Sequence, residues 1–217
     1  ERYFPIGIQT FEKIREFSAI YIDKTELIYR LVNSGNYYFL SRPRRFGKSL
    51  LLSTLKSYFE GRKDLFEGLA IANLEKNWEQ YPVLHFSLSK KRIVKLEDMG
   101  FLLDSLLREL ENIYGSDPKT DSSQYGLRMS DLVSRAKNQT GKNVVLLFDE
   151  YDAPLLDTIH DRALFTQVRQ QLRDFFSPIK DLDPKLQFVF ITGISKFSQL
   201  SIFSELNNLT TITMEDE

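Results

Sequence analysis

Five short and almost uninterrupted apolar runs punctuate the chain: "YYFL" (residues 37 to 40), "VLHFSL" (83 to 88), "VVLLF" (144 to 148), "QFVFIT" (187 to 192) and "LTTITM" (209 to 214). They are rich in aromatic and β-branched residues, which read as strands covered on both faces. Segments with helical periodicity separate them: "KTELIYRLVNSG", "KSLLLSTLKSYFEG", "EDMGFLLDSLLRELENIYG", "SDLVSRAKNQTG" and "DRALFTQVRQQLRDFFS". Strands that alternate with helices predict an α/β domain of three layers around a mainly parallel five-stranded sheet. Ser130 and Asp161 are expected as helix N-caps, and Gly35, Gly61 and Gly141 just past helix ends. Residues 114 to 129, "YGSDPKTDSSQYGLRM", read as an exposed loop or a partner-binding insertion.

The first run leads into "SRPRRFGKSLL", where Gly47, Lys48 and Ser49 fill the last three places of G-x-x-x-x-G-K-[ST]. In that pattern bare amides approach phosphate oxygens, a lysine reaches the terminal phosphates and a hydroxyl meets magnesium. Arg42 stands where the first glycine belongs. A non-glycine residue in a strained loop conformation costs about 1–3 kcal/mol, which a domain can carry. Pro43 stiffens the loop and removes one amide donor, while Arg44 and Arg45 bring guanidinium groups that can take over a phosphate contact. The candidate nucleotide-binding residues are therefore Arg42, Pro43, Arg44, Arg45, Phe46, Gly47, Lys48, Ser49 and Leu50, with ATP or ADP as ligand.

About 100 residues further on, "NVVLLFDEYDAP" is an apolar strand that ends in two adjacent carboxylates. Asp149 is the expected magnesium acid, with Ser49 as the other metal contact, and Glu150 is the expected catalytic base toward water. Lys48 joins Glu150 in the chemistry. In nucleotidases with such an acid pair, another strand lies between the loop strand and the acid strand and presents a polar residue to the γ-phosphate. Thr192, at the tip of "QFVFIT", fits that place, with Ser195 as second choice. Tyr151 and Asp152 either position Glu150 or contact a client.

Composition sets limits on the rest. The chain has 217 residues, 42% hydrophobic and 27% charged, enough for a full core. It has no cysteine and only two histidines, which leaves little for a zinc site. Lys plus Arg (29) nearly balances Asp plus Glu (30), so any nucleic-acid contact would be local, with Lys90, Lys91 and Arg92 beside the loop arginines as candidates. No apolar run is long enough for a membrane span, and a cytoplasmic setting fits. The chain opens on Glu1 and stops just after the fifth run, so it reads as a piece of a longer protein.

Taken together, "PIGIQTFEKIRE", "YIDKTELIYRLV", "YYFLSRPRRFGKSLLLSTLKSYFEG", "LFEGLAI", "YPVLHFSLS", "LLFDEYDAPL" and "FITGISKFS" closely resemble the bacterial AAA-ATPase-like family, over essentially the whole chain. The resemblance makes Arg42 a family feature. It implies a P-loop NTPase core of the AAA/ASCE type, with ATP and Mg2+ as cofactors. Residues 1–35 would pack on the core formed by 36–217. It further implies a C-terminal helical lid and a nuclease-like domain of PD-(D/E)XK type, neither of which is in this chain, and leaves a homo-oligomer open.

Other residues are read individually. Asp23 caps the next helix through a D-x-x-E box with Glu26 or helps to close the site. "AIYID" (19 to 23) forms a small hairpin or a lid. His85 is expected as a satisfied core or edge histidine, and His160 has no metal partners in sequence. Trp78 is a packing anchor, with adenine stacking as the alternative. Arg169 and Arg173, the candidates for a completing arginine, fit better on a solvated helix face. The leading function is an ATPase that gates an attached effector, such as a nuclease domain. The alternatives are a nucleotide-dependent switch or scaffold that recruits protein or nucleic acid without turnover, a small-molecule kinase, and a DNA binder.

Overall fold

The computed structural model describes residues 10–16, 23–41, 48–194, 202–203, 206 and 209–212. Each apolar run becomes a strand: β1 (Tyr37–Ser41), β2 (Val83–Ser87), β3 (Val144–Asp149), β4 (Leu186–Gly193) and β5 (Thr210–Ile212). All pair in parallel, in the order β2-β3-β4-β1-β5. The last strand by sequence among the long ones, β4, is thus inserted between β1 and β3.

Because side chains alternate along a strand, the apolar runs feed two cores. On one face Phe39, Phe86, Leu146, Phe148, Val189 and Ile191 pack against α5 (Leu96–Tyr114), α6 (Tyr125–Thr140) and α8 (Arg162–Phe176). On the other, Tyr38, Leu40, Val145, Leu147, Phe188 and Phe190 meet α2 (Thr25–Ser34) and α3 (Lys48–Phe59). The edge strand β2 is fully covered on one face only: Leu84 and Phe86 are buried, whereas Val83, His85 and Ser87 stay half-buried.

The N-terminal helix α1 (Phe11–Glu16) is tied to the second face. The Phe11 amide donates to Ser53 Oγ at 2.9 Å, the Phe11 ring lies 4.8 Å from Phe66, and Arg15 donates to the Leu65 and Glu67 carbonyls. Asp23 stands one place before the N-terminal flank of α2. Its Oδ1 accepts from the Thr25 amide and hydroxyl, while Oδ2 accepts from the Ala70 amide, joining α2 to the short α4 (Ile71–Leu74). Glu26 pairs with Arg30, so the expected D-x-x-E reciprocity is replaced by a bridge between elements. Residues 17–22, which hold most of "AIYID", lie outside the described residues.

Two expectations need correction. Ser130 is not an N-cap, because α6 begins five residues earlier, at Tyr125. The polar stretch expected to run to residue 129 therefore ends sooner. A Cβ at Gly126 would come within 2.5 Å of the Asp174 carbonyl oxygen, so this glycine marks the close crossing of α6 and α8. Arg128 adds a second reason for helix: it is buried against Asp104 and Glu111 and donates to the Ser122 carbonyl. Asp161 does cap α8, accepting from the Leu164 amide, and Gly141 closes α6 in the left-handed conformation.

Candidate functional site

Parallel strands bring their C-terminal ends to one edge, where loops leave the sheet. The registers Ser87↔Asp149 and Leu40↔Thr192 set four strand ends side by side. Asp149 and Thr192 meet directly: the Thr192 hydroxyl donates to Asp149 Oδ1 at 2.8 Å. The same oxygen of Thr192 accepts from the Glu150 amide at 2.9 Å. Its single proton is therefore committed to Asp149, and Oδ2 of that carboxylate has no hydrogen-bond partner among the described residues.

Glu150 has φ 49, the only positive value on a non-glycine residue among the described ones. A left-handed residue of this kind costs about 1–2 kcal/mol. Burial of its neighbour offsets that cost. Tyr151 is fully enclosed, with Phe39, Phe176 and Phe203 at ring distances of 5.7, 6.5 and 5.0 Å, and a side chain of that size contributes about 2–3 kcal/mol on burial. Asp152 is fully buried too, and both its oxygens accept from the Ile194 amide at 2.9 and 3.0 Å. Of the two readings left open for Tyr151 and Asp152, burial excludes client contact.

Glu150 opens on a cleft of about 690 Å³ that it shares with Ser89, Arg92, Asp157 and His160. Asp157 sits on α7 (Ala153–Asp157) and accepts from the Ile93 amide, which fixes the loop carrying Arg92. The other cations of that loop are engaged: Lys90 with Glu109 at 3.3 Å, and Lys91 with Asp98 at 3.7 Å and over the Phe101 ring. Of the cations expected in a basic patch, Lys90 and Lys91 are thus paired with carboxylates, whereas Arg42, Arg44 and Arg45 lie outside the described residues.

The loop side is described only from its helix onward. Arg42, Pro43, Arg44, Arg45, Phe46 and Gly47 lie outside the described residues, as does Ser195. Lys48 and Ser49 begin α3 directly after them, with Leu50 behind accepting the Ser53 and Thr54 hydroxyls on its carbonyl. Sequence reasoning misses Ser87, because its place beside Asp149 depends on β2 being the neighbour of β3. His85 departs from expectation: its Nε2 is buried with no partner, so it is not a satisfied histidine. Burial pushes its pKa down, with the Asp149 carboxylate acting in the opposite sense. Trp78 packs between Tyr58 and Phe66, at the end of α3 remote from Lys48, as an anchor rather than a base-stacking ring.

Magnesium at phosphate sites is held by one or two carboxylates together with phosphate oxygens and water. Asp149, with one oxygen oriented by Thr192 and the other without a hydrogen bond among the described residues, fits that requirement. Among the described residues no helix is long and apolar enough to cross a membrane.

A protein of Azotobacter chroococcum mcd 1, described as an uncharacterized protein in the vnfD 5' region, is 40% identical over 212 residues, which are 97% of this chain and 41% of that protein. The chain thus spans well under half the length of this relative. Residues 5–203 match the model of the family described as Predicted AAA-ATPase. With its parallel α/β sheet and its G-K-S and D-E motifs, the chain belongs to the Predicted AAA-ATPase family.

Proposed function

We propose that the chain is a P-loop ATPase module that binds ATP with magnesium and hydrolyses it, and that its cycle gates an attached effector region, nuclease-like by resemblance. The observation that carries this reading is the insertion of β4 between β1, which leads into Gly47-Lys48-Ser49, and β3, which ends in Asp149-Glu150. That order supports a reading in which the start of α3 lies across from the acid pair.

Bare amides and the positive dipole end of α3, together with Lys48, would take the phosphates, and Arg44 and Arg45 would take over contacts that the missing first glycine leaves unmade. Ser49 and Asp149 would hold magnesium, which when bound offsets charge on the phosphate oxygens. Glu150 orients a water and accepts its proton as the water oxygen bonds to the γ-phosphorus. The bond to the bridging oxygen breaks, releasing ADP and phosphate. Thr192 acts by holding Asp149 and the Glu150 amide, a positioning role that differs from direct contact with the γ-phosphate.

The experiment is calorimetric titration of ATP and ADP with magnesium into wild type, Lys48→Ala and Glu150→Gln, followed by phosphate release on the same samples. Lys48→Ala should lose binding. Glu150→Gln should keep binding and lose turnover by about 100-fold or more. Wild type that binds but does not hydrolyse would replace the motor with the nucleotide-dependent switch. Absence of binding in wild type would sink the nucleotide reading for this chain.

A further inference from the structure

Every residue of Asp149-Glu150-Tyr151-Asp152 is joined to the end of β4. Asp149 Oδ1 and the Glu150 amide meet the Thr192 hydroxyl, and the Tyr151 amide donates to the Thr192 carbonyl at 3.0 Å. Tyr151 also closes over Gly193: a Cβ there would lie 2.7 Å from Tyr151 Cε1 and 3.1 Å from Phe39 Cζ. Asp152 completes the set through Ile194. The ladder between β3 and β4 thus continues past the end of β3, now built from side chains as well as backbone.

Asp152 is placed where an aspartate ordinarily caps its own helix. It occupies the N-cap of α7, but its side chain makes no cap hydrogen bond there. A fully buried carboxylate requires compensation, and this one finds it across the sheet at the Ile194 amide. Between Asp152 and the Thr192 pivot sits Glu150, whose left-handed backbone persists only while its surroundings hold it.

We infer that Asp152 is a positioning residue for Glu150: by gripping the Ile194 amide it locks the end of β4 against the acid motif and so sets the direction of the Glu150 carboxylate. This rests on Glu150 being the base of the proposed reaction. It also makes the chain that leaves β4 at Ile194 a lever on the base, since any shift of that amide is transmitted through Asp152 and Thr192.

The test is a double-mutant cycle on the full chain with Asp152→Asn, Glu150→Gln and the pair, read by kcat and KM for MgATP, with ATP affinity and Tm as controls. Asparagine keeps the shape of Asp152 and replaces one of the two oxygens that accept from the Ile194 amide with an amide nitrogen. Asp152→Asn alone should lower kcat about tenfold or more with ATP affinity within about twofold, because small misplacement of a reacting group is costly in rate. In the Glu150→Gln background it should lower kcat no further. An unchanged kcat, or an equal fall in both backgrounds, would overturn the inference.

If wild type binds ATP without turning it over, the hydrolytic reading fails by itself. The clamp is then judged by hydrogen exchange at the Glu150 and Tyr151 amides. Faster exchange there in Asp152→Asn, with Val145 to Leu147 still protected, supports it, and unchanged protection refutes it.

Discussion

At the scale of single residues, the site combines strain with compensation. Glu150 is held in a left-handed conformation, and burial of Tyr151, the next residue, offsets its cost. His85 is the second residue under tension. Burial disfavours the charged form of its imidazole, Asp149 and Glu109 favour it, and the Lys56 charge adds to the effect of burial. The unfolded chain takes up a proton near the ordinary value of about 6.5, whereas the folded chain resists it, so stability should fall as pH drops through and below that value. Urea unfolding at about pH 8 and about pH 5.5 should show a smaller difference in His85→Leu than in wild type. An equal difference in both would mean that other groups carry the acid sensitivity. The tension at His85 was not legible in "VLHFSL", because alternation identifies a strand but not whether a ring nitrogen finds a partner.

Elements were read more fully than residues. The helix-period segments appear close to their expected bounds, since stretches such as "EDMGFLLDSLLRELENIYG" carry an apolar face long enough to dominate local preferences. The exception is the start of α6. Tyr125 to Met129 join the helix because Arg128 and Met129 find buried partners on α5 and α8, an effect of tertiary packing that turn-forming neighbours conceal. Gly126→Ala tests this directly. Its Cβ would meet backbone at Asp174 rather than a movable side chain, so it should destabilise by about 1–3 kcal/mol, even though alanine favours helix. Thermal unfolding would read this as a Tm lower by several degrees. A Tm equal to or above wild type would show that the α6 and α8 crossing adjusts at little cost.

For the whole molecule, the five-strand parallel sheet explains why residues about 100 positions apart can share one edge. A ligand bound at that edge should stabilise the entire domain by mass action. MgATP at 100 times its Kd adds about 2.7 kcal/mol, which for a chain of this size is a rise of about 5–10 °C in Tm. Lys48→Ala should abolish the rise, and a persisting one would put the nucleotide elsewhere. The alternation of apolar runs with amphipathic segments was enough by itself to determine an α/β domain, and the two motifs named Lys48, Ser49, Asp149 and Glu150, because strand burial and phosphate chemistry each demand a local pattern. The acid pair also led to the expectation of a strand between those of the loop and the acids, with Thr192 at its tip, and the sheet order has β4 in that place. Tertiary structure alone decided that Thr192 bonds Asp149 and the Glu150 amide, and that Asp152 reaches Ile194. Those contacts join residues more than forty positions apart, and no local pattern records a hydrogen bond whose two ends are brought together only by the order of the strands.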